Sequence, residues 1–79
     1  MILLNVYESR SRHLAVVVSR PPHPVGAGDR LLLPSGRAVE IMEVRTYPGR
    51  LVTLLLRDAP REELRVGMRV HLAVRRPAG

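Results

Sequence analysis

The sequence predicts an all-β protein, a small six-stranded antiparallel β-barrel with one short helical turn near residues 60–65. Three observations carry that expectation. Apolar runs of strand length recur along the chain, and each is bounded by a cluster of Gly, Pro, Ser or Asp. Several of these runs alternate or are rich in β-branched valine, which suits a pleated, half-buried ribbon. The chain is also only 79 residues long, so closing the sheet on itself protects its edges without a large core.

The elements follow in order. Residues 2–7 (ILLNVY) form the first strand and end in the polar turn ESRS. Residues 13–19 (HLAVVVS) form the second, with Leu14, Val16 and Val18 on one face and His13, Ala15, Val17 and Ser19 on the other. RPPHPVGAGD then ends the ladder, because its three prolines have no N–H to donate and its glycines permit positive φ. RLLLP supplies a third strand, SG a turn, and RAVEIMEVRTY a long fourth strand. In that strand Val39 and Ile41 share one parity and Met42 and Val44 the other. A β-bulge is therefore expected near Ile41, where a small barrel bends a strand around a corner.

PGR turns the chain into LVTLLLR, whose Val52, Leu54 and Leu56 are assigned to the core, while Leu51 and Leu55 look outward or toward a partner. Asp58 or Ala59 is expected to cap a helical turn that has Pro60 in its first turn and Glu62 and Glu63 near its positive end. Leu64 would anchor that turn to the barrel. Gly67 releases the chain into a last strand, MRVHLAV, and residues 75–79 are expected to form a flexible tail on a single domain spanning 1–79.

A domain of this size hides only about 60% of the surface its unfolded chain exposes, so its stability margin is thin. There is no cysteine, which removes disulfides, thiolate zinc sites and cysteine nucleophiles. MILLNVYESR is too short for a membrane span and lacks the basic start and cleavage site of a signal peptide. A cytoplasmic protein with no membrane partner is expected. All thirteen basic residues are arginine, and the formal net charge is +6. Guanidinium groups stay ionised and bind phosphate in a bidentate fashion, so a basic face would attract nucleic acid; arginines spread round a barrel would simply solvate it. Only Tyr7 and Tyr47 can stack on bases.

The residues point to no enzyme, no cofactor and no metal. The phosphate-cradling GxxxxGK[ST] loop of a GTPase is impossible in a chain without lysine. His13, His23 and His71 lie on separate segments without metal-ligand spacing, although two would meet if the second and sixth strands paired. Glu40 and Glu43 would point to opposite faces of their strand unless the bulge intervenes, and the helix dipole accounts for Glu62 and Glu63.

VTLLLRDAPREELRVGMRV resembles the strand, helical turn and strand near the end of the second domain of elongation factor Tu and its relatives. The features that carry the resemblance are Leu55, Leu56 and Arg57, then Arg61, Glu62, Glu63 and Leu64, then Gly67. Upstream, VGAGDRLLLPSGRAVEIMEV is similar to that domain's turn with glycine and aspartate (Gly28, Asp29) and its next two strands, ending in Glu43. The likeness runs over roughly residues 13–72 in the same order. It implies a translation-factor barrel standing alone, without the GTPase domain, that contacts RNA or the ribosome.

Departures from the family pattern refine that implication. Ser11, Arg12 and His13 replace its glycine-arginine-glycine, Asp58 stands at a glycine position, and the loop between Val44 and Leu51 is shorter. Glu43 matches the glutamate that helps hold the terminal adenosine of aminoacyl-tRNA, but Leu51 stands where the family has asparagine, and a hydrocarbon makes no amide hydrogen bonds. The resemblance therefore favours RNA contact by a route other than capture of a charged tRNA end.

Two classes of function are open. In the first, a non-catalytic module binds RNA phosphates through Arg45, Arg50, Arg57 and Arg61, with Arg12, Arg69, Arg75 and Arg76 as a second group. In the second, Tyr47, Leu51 and Leu55 form an exposed patch for a protein partner or for homodimer formation.

Overall fold

The computed structural model describes residues 1–19, 21, 23–47, 49 and 51–73. Its strands are β1 (Leu3–Glu8), β2 (Leu14–Val18), β3 (Arg30–Leu32), β4 (Ala38–Tyr47), β5 (Leu51–Leu56) and β6 (His71–Leu72), with a 3₁₀ turn at Arg61–Glu63. All pairings are antiparallel, and the six strands form one sheet in the order β1-β2-β5-β4-β3-β6. The all-β class read from the sequence is the class observed.

The central pair is β2 with β5. Leu14 lies opposite Leu56, Val16 opposite Leu54 and Val18 opposite Val52. Side chains alternate along a strand, so this register sends all six toward one interior. Val16, Val18, Leu54 and Leu56 have no solvent exposure, and Leu3, Leu31, Ile41 and Val70 complete the fully buried set. Leu64, directly after the 3₁₀ turn, is buried in the same cluster, as an anchor would be.

β4 serves two neighbours because it is bent. Its start, Ala38–Glu40, pairs with β3, and its remainder pairs with β5. The register with β5 shifts between Ile41 and Glu43, which is the bulge expected from the parity change. The turn before β3 fastens this corner. Gly28, at φ +94, gives its N–H to Ile41 O at 2.8 Å, and the Ile41 N–H goes to Asp29 O at 2.8 Å. Only glycine holds that backbone conformation without strain.

Full closure of the sheet is not observed. Among the described residues β1 and β6 do not pair as strands; a single bridge, Ile2 to Arg69, joins the two ends of the sheet. The last strand is short because residues 65–70 use their backbone elsewhere: the Met68 N–H bonds Arg65 O, the Leu3 N–H bonds Met68 O, and Gly67, at φ +92, donates to Leu3 O at 2.7 Å. These bonds tie the chain's beginning to the segment before β6, as barrel staves held by a clasp rather than a ladder.

The helical turn also differs from expectation. It is a 3₁₀ turn whose N-cap is Pro60, with no side-chain capping bond; Asp58 instead sits at φ +50 in the preceding bend. So short a turn carries little dipole. Glu63 is instead held by specific partners, accepting a hydrogen bond from the Ser35 hydroxyl and pairing with Arg37 at 3.4 Å. The histidines do not meet, because β2 lies between β1 and β5 while β6 pairs with β3. The expected tail at 75–79 lies outside the described residues.

The contrast within β5 is testable. Leu54→Ala removes a fully buried side chain at the central pairing and is expected to cost about 2–5 kcal/mol. Leu51→Ala, at an exposed position of the same strand, should change stability by less than about 0.5 kcal/mol. Urea unfolding of the two variants beside the parent checks both.

Candidate functional site

The face of the sheet turned away from the core is shaped by the same register. On β1, β2, β5 and β4, Tyr7 lies opposite Ala15, Ala15 opposite Leu55, and Leu55 opposite Glu43. The next row is Asn5, Val17, Thr53 and Arg45. Three interstrand spacings of about 4.8 Å make each row about 14 Å wide.

The middle of this face is low. Ala15 and Thr53 have short side chains, and taller neighbours leave them only 2% and 7% exposed although they do not face the core. The result is a groove of ≈ 600 Å³ lined by Tyr7, Ala15, Met42, Thr53 and Leu55 among others, with a polar rim. One rim is the β1–β2 hairpin, which brings Glu8, Ser9, Arg10, Ser11 and His13; the other is β4, which brings Glu43 and Arg45. The volume lies within the usual range for small-ligand clefts. The Ser9 and Ser11 hydroxyls bond each other at 2.8 Å. Arg45 and Glu43 lie 3.5 Å apart, both well exposed, so the pair is screened and easily rearranged.

The bulge at Met42 determines which groups reach the groove. It turns Glu43 onto the same outward side as Glu40, and each carboxylate takes its own arginine: Glu40 accepts from Arg57 Nε at 2.8 Å, and Glu43 faces Arg45. Glu40 and Glu43 are thus separate ion pairs rather than a carboxylate pair. Among the described residues no cluster of three or more His, Cys, Asp or Glu has the arrangement of a metal site.

Of the residues singled out in the sequence, the structure brings Glu43, Arg45 and Leu55 together in the groove. Tyr47 and Leu51 face each other one row beyond Arg45 and Thr53 and are 50% and 39% exposed. Leu55 is not part of that patch, being four positions along β5 from Leu51 with Thr53 between them. Arg57 is held by Glu40, and Arg61 is exposed at the start of the 3₁₀ turn. Arg12 sits in the β1–β2 hairpin while Arg69 bridges Ile2 at the other end of β1, so these two do not form one group. Arg50, Arg75 and Arg76 lie outside the described residues.

Arg10, Met42 and the two hairpin serines line the groove without having been singled out. Their signal was available in part: ESRSRH joins two strands whose outward parity includes Tyr7 and Ala15, so the turn has to stand beside that face.

No family model, curated protein or solved structure matches the chain. No helix among the described residues is long and apolar enough to cross a membrane.

Arg12 is one of two non-glycine residues at positive φ among the described residues, at +67. That conformation is unfavourable for an L-residue by about 1 kcal/mol. Arg12→Gly is therefore expected to raise stability modestly, up to about that amount, in thermal unfolding; a clear loss of stability would show that the Arg12 side chain holds the hairpin in place.

Proposed function

We propose that this chain is a non-catalytic binding module of the cytoplasm with a translation-factor-like β fold that contacts RNA, with ribosomal RNA as the first candidate. The observation that supports it most is the composition of the groove. An apolar floor of Ala15, Leu55 and Met42 with Tyr7 on one wall suits the face of an unstacked base, and Arg10 and Arg45 on opposite rims suit the phosphates either side of it. Glu43, in the position that resembles the family's tRNA-end glutamate, supplies an acceptor for a sugar hydroxyl or an exocyclic amine.

Binding rather than catalysis is favoured by the way the polar groups are used. Ser9 and Ser11 bond each other, and Glu40 and Glu43 are each engaged with an arginine. Sequence-indifferent recognition follows from the chemistry, since every base has an apolar face and every nucleotide a phosphate. The alternative is a protein-interaction module, supported by the exposed cross-strand pair Tyr47 and Leu51.

Affinity for a mixed-sequence single-stranded oligoribonucleotide, measured by fluorescence anisotropy across a salt series, separates the two readings. For RNA binding, log K falls linearly with log salt, and Arg10→Ala and Arg45→Ala each lower the slope by about 0.7. An affinity that does not respond to salt rejects the RNA reading.

A further inference from the structure

The two edges of the four-stranded portion β1-β2-β5-β4 are treated differently by the chain. The direction of the peptide groups follows from the hairpin: the Ser9 N–H bonds His13 O at 2.9 Å, so with strict alternation Ala15 and Val17 bond β1 while Leu14, Val16 and Val18 bond β5. The same alternation carried across β5 directs Leu55, Thr53 and Leu51 toward Glu43, Arg45 and Tyr47. The peptide groups of Val44 and Thr46 then point away from the sheet, as those of Val6 do on β1.

The β1 edge is blunted. The Val6 N–H is taken by the neighbouring Asn5 Oδ1 at 2.9 Å, the register shifts after Leu3, and Leu3 itself is bonded to Gly67 and Met68. These are the devices by which edge strands avoid pairing with other chains. The β4 edge carries the bulge at Met42, but past it no such bond covers the strand: among the described residues, no backbone hydrogen bond reaches the outward groups of Val44 or Thr46. The loop beside them includes Pro21 and Pro24, which have no N–H to offer, and a recess of ≈ 310 Å³ lies between it and the side chains of Val44, Thr46 and Val52.

We propose that this edge pairs with the same edge of a second copy of the chain, antiparallel, about a two-fold axis at Val44. The sequence of the strand selects both the partner and the register. With Val44 opposite its own symmetry mate, Glu43 stands opposite the mate's Arg45 and Arg45 opposite the mate's Glu43, at non-hydrogen-bonded positions where side chains approach most closely. Val44 exchanges N–H and C=O bonds with its mate, and Thr46 meets the mate's Met42. Moving the axis to Arg45 would set two guanidinium groups face to face. The contact is self-complementary and closes as a dimer rather than growing into a fibre.

This pairing is independent of the RNA reading, although it bears on it. A two-fold axis perpendicular to the sheet keeps both outward faces on one side, so the dimer presents two grooves to the same partner surface. The intramolecular Glu43–Arg45 pair is exchanged for reciprocal pairs between copies, which leaves each rim with the same charges.

Sedimentation equilibrium of the full chain, without RNA, over a wide concentration range tests the proposal. The parent is expected to show a monomer–dimer equilibrium. Glu43→Arg and Arg45→Glu, each of which opposes like charges across the axis, should each weaken dimerisation tenfold or more, and an equimolar mixture of the two variants should restore it as a heterodimer. Val44→Pro, which removes the outward N–H from an edge position, should abolish it. A parent that stays monomeric throughout overturns the proposal, as does a dimer indifferent to these substitutions or a mixture that fails to recover. The sedimentation experiment contains no RNA, so its outcome does not depend on the salt response of the parent chain's RNA binding, and the two readings fail separately.

Discussion

The structure depends on the in-register pairing of β2 with β5. It places Val16 against Leu54 and Val18 against Val52 on the inside, and Ala15 against Leu55 and Val17 against Thr53 on the outside. Core and groove are therefore two faces of one constraint. A slip of one residue would exchange them, bringing Ala15 and Thr53 into the core and exposing the leucines. In a domain this small there is little other apolar burial to offset such a loss.

The second determinant is the bulge at Met42, which lets one strand belong to two parts of the sheet. Without it Glu40 and Glu43 would lie on opposite faces and the β4 rim of the groove would not carry a carboxylate beside Arg45. It also changes how the net charge of +6 is distributed. Arg37, Arg45 and Arg57 are each matched to a glutamate, so they add less to the field around the molecule than their number suggests. The hairpin arginines Arg10 and Arg12 make no ion pair among the described residues, and Arg10 gives the hairpin rim of the groove a positive charge.

Much of this was legible in the sequence because period-two alternation is a strong signal. Val52, Leu54 and Leu56 are buried as their spacing requires, Leu64 anchors the turn, and the parity change between Ile41 and Val44 marked the bulge. What sequence could not give was pairing between distant segments. The short last strand follows from Gly67 and Met68 bonding to Leu3, and the fixing of Glu63 by Ser35 and Arg37 joins residues far apart in the chain. Arg12 and Arg69 look equally available in one dimension, yet β1 lies between them. The groove was half legible, since Glu43, Arg45 and Leu55 stood out while the hairpin wall depended on knowing which strand adjoins which.

Cross-strand nuclear Overhauser effects between α-protons measure the β2–β5 register directly, because opposed residues at non-hydrogen-bonded positions bring their α-protons closest. The account predicts strong contacts between Ala15 and Leu55 and between Val17 and Thr53. Contacts displaced by one residue, joining Val16 to Leu55, would contradict it, since the floor of the groove and the lining of the core would then have traded places.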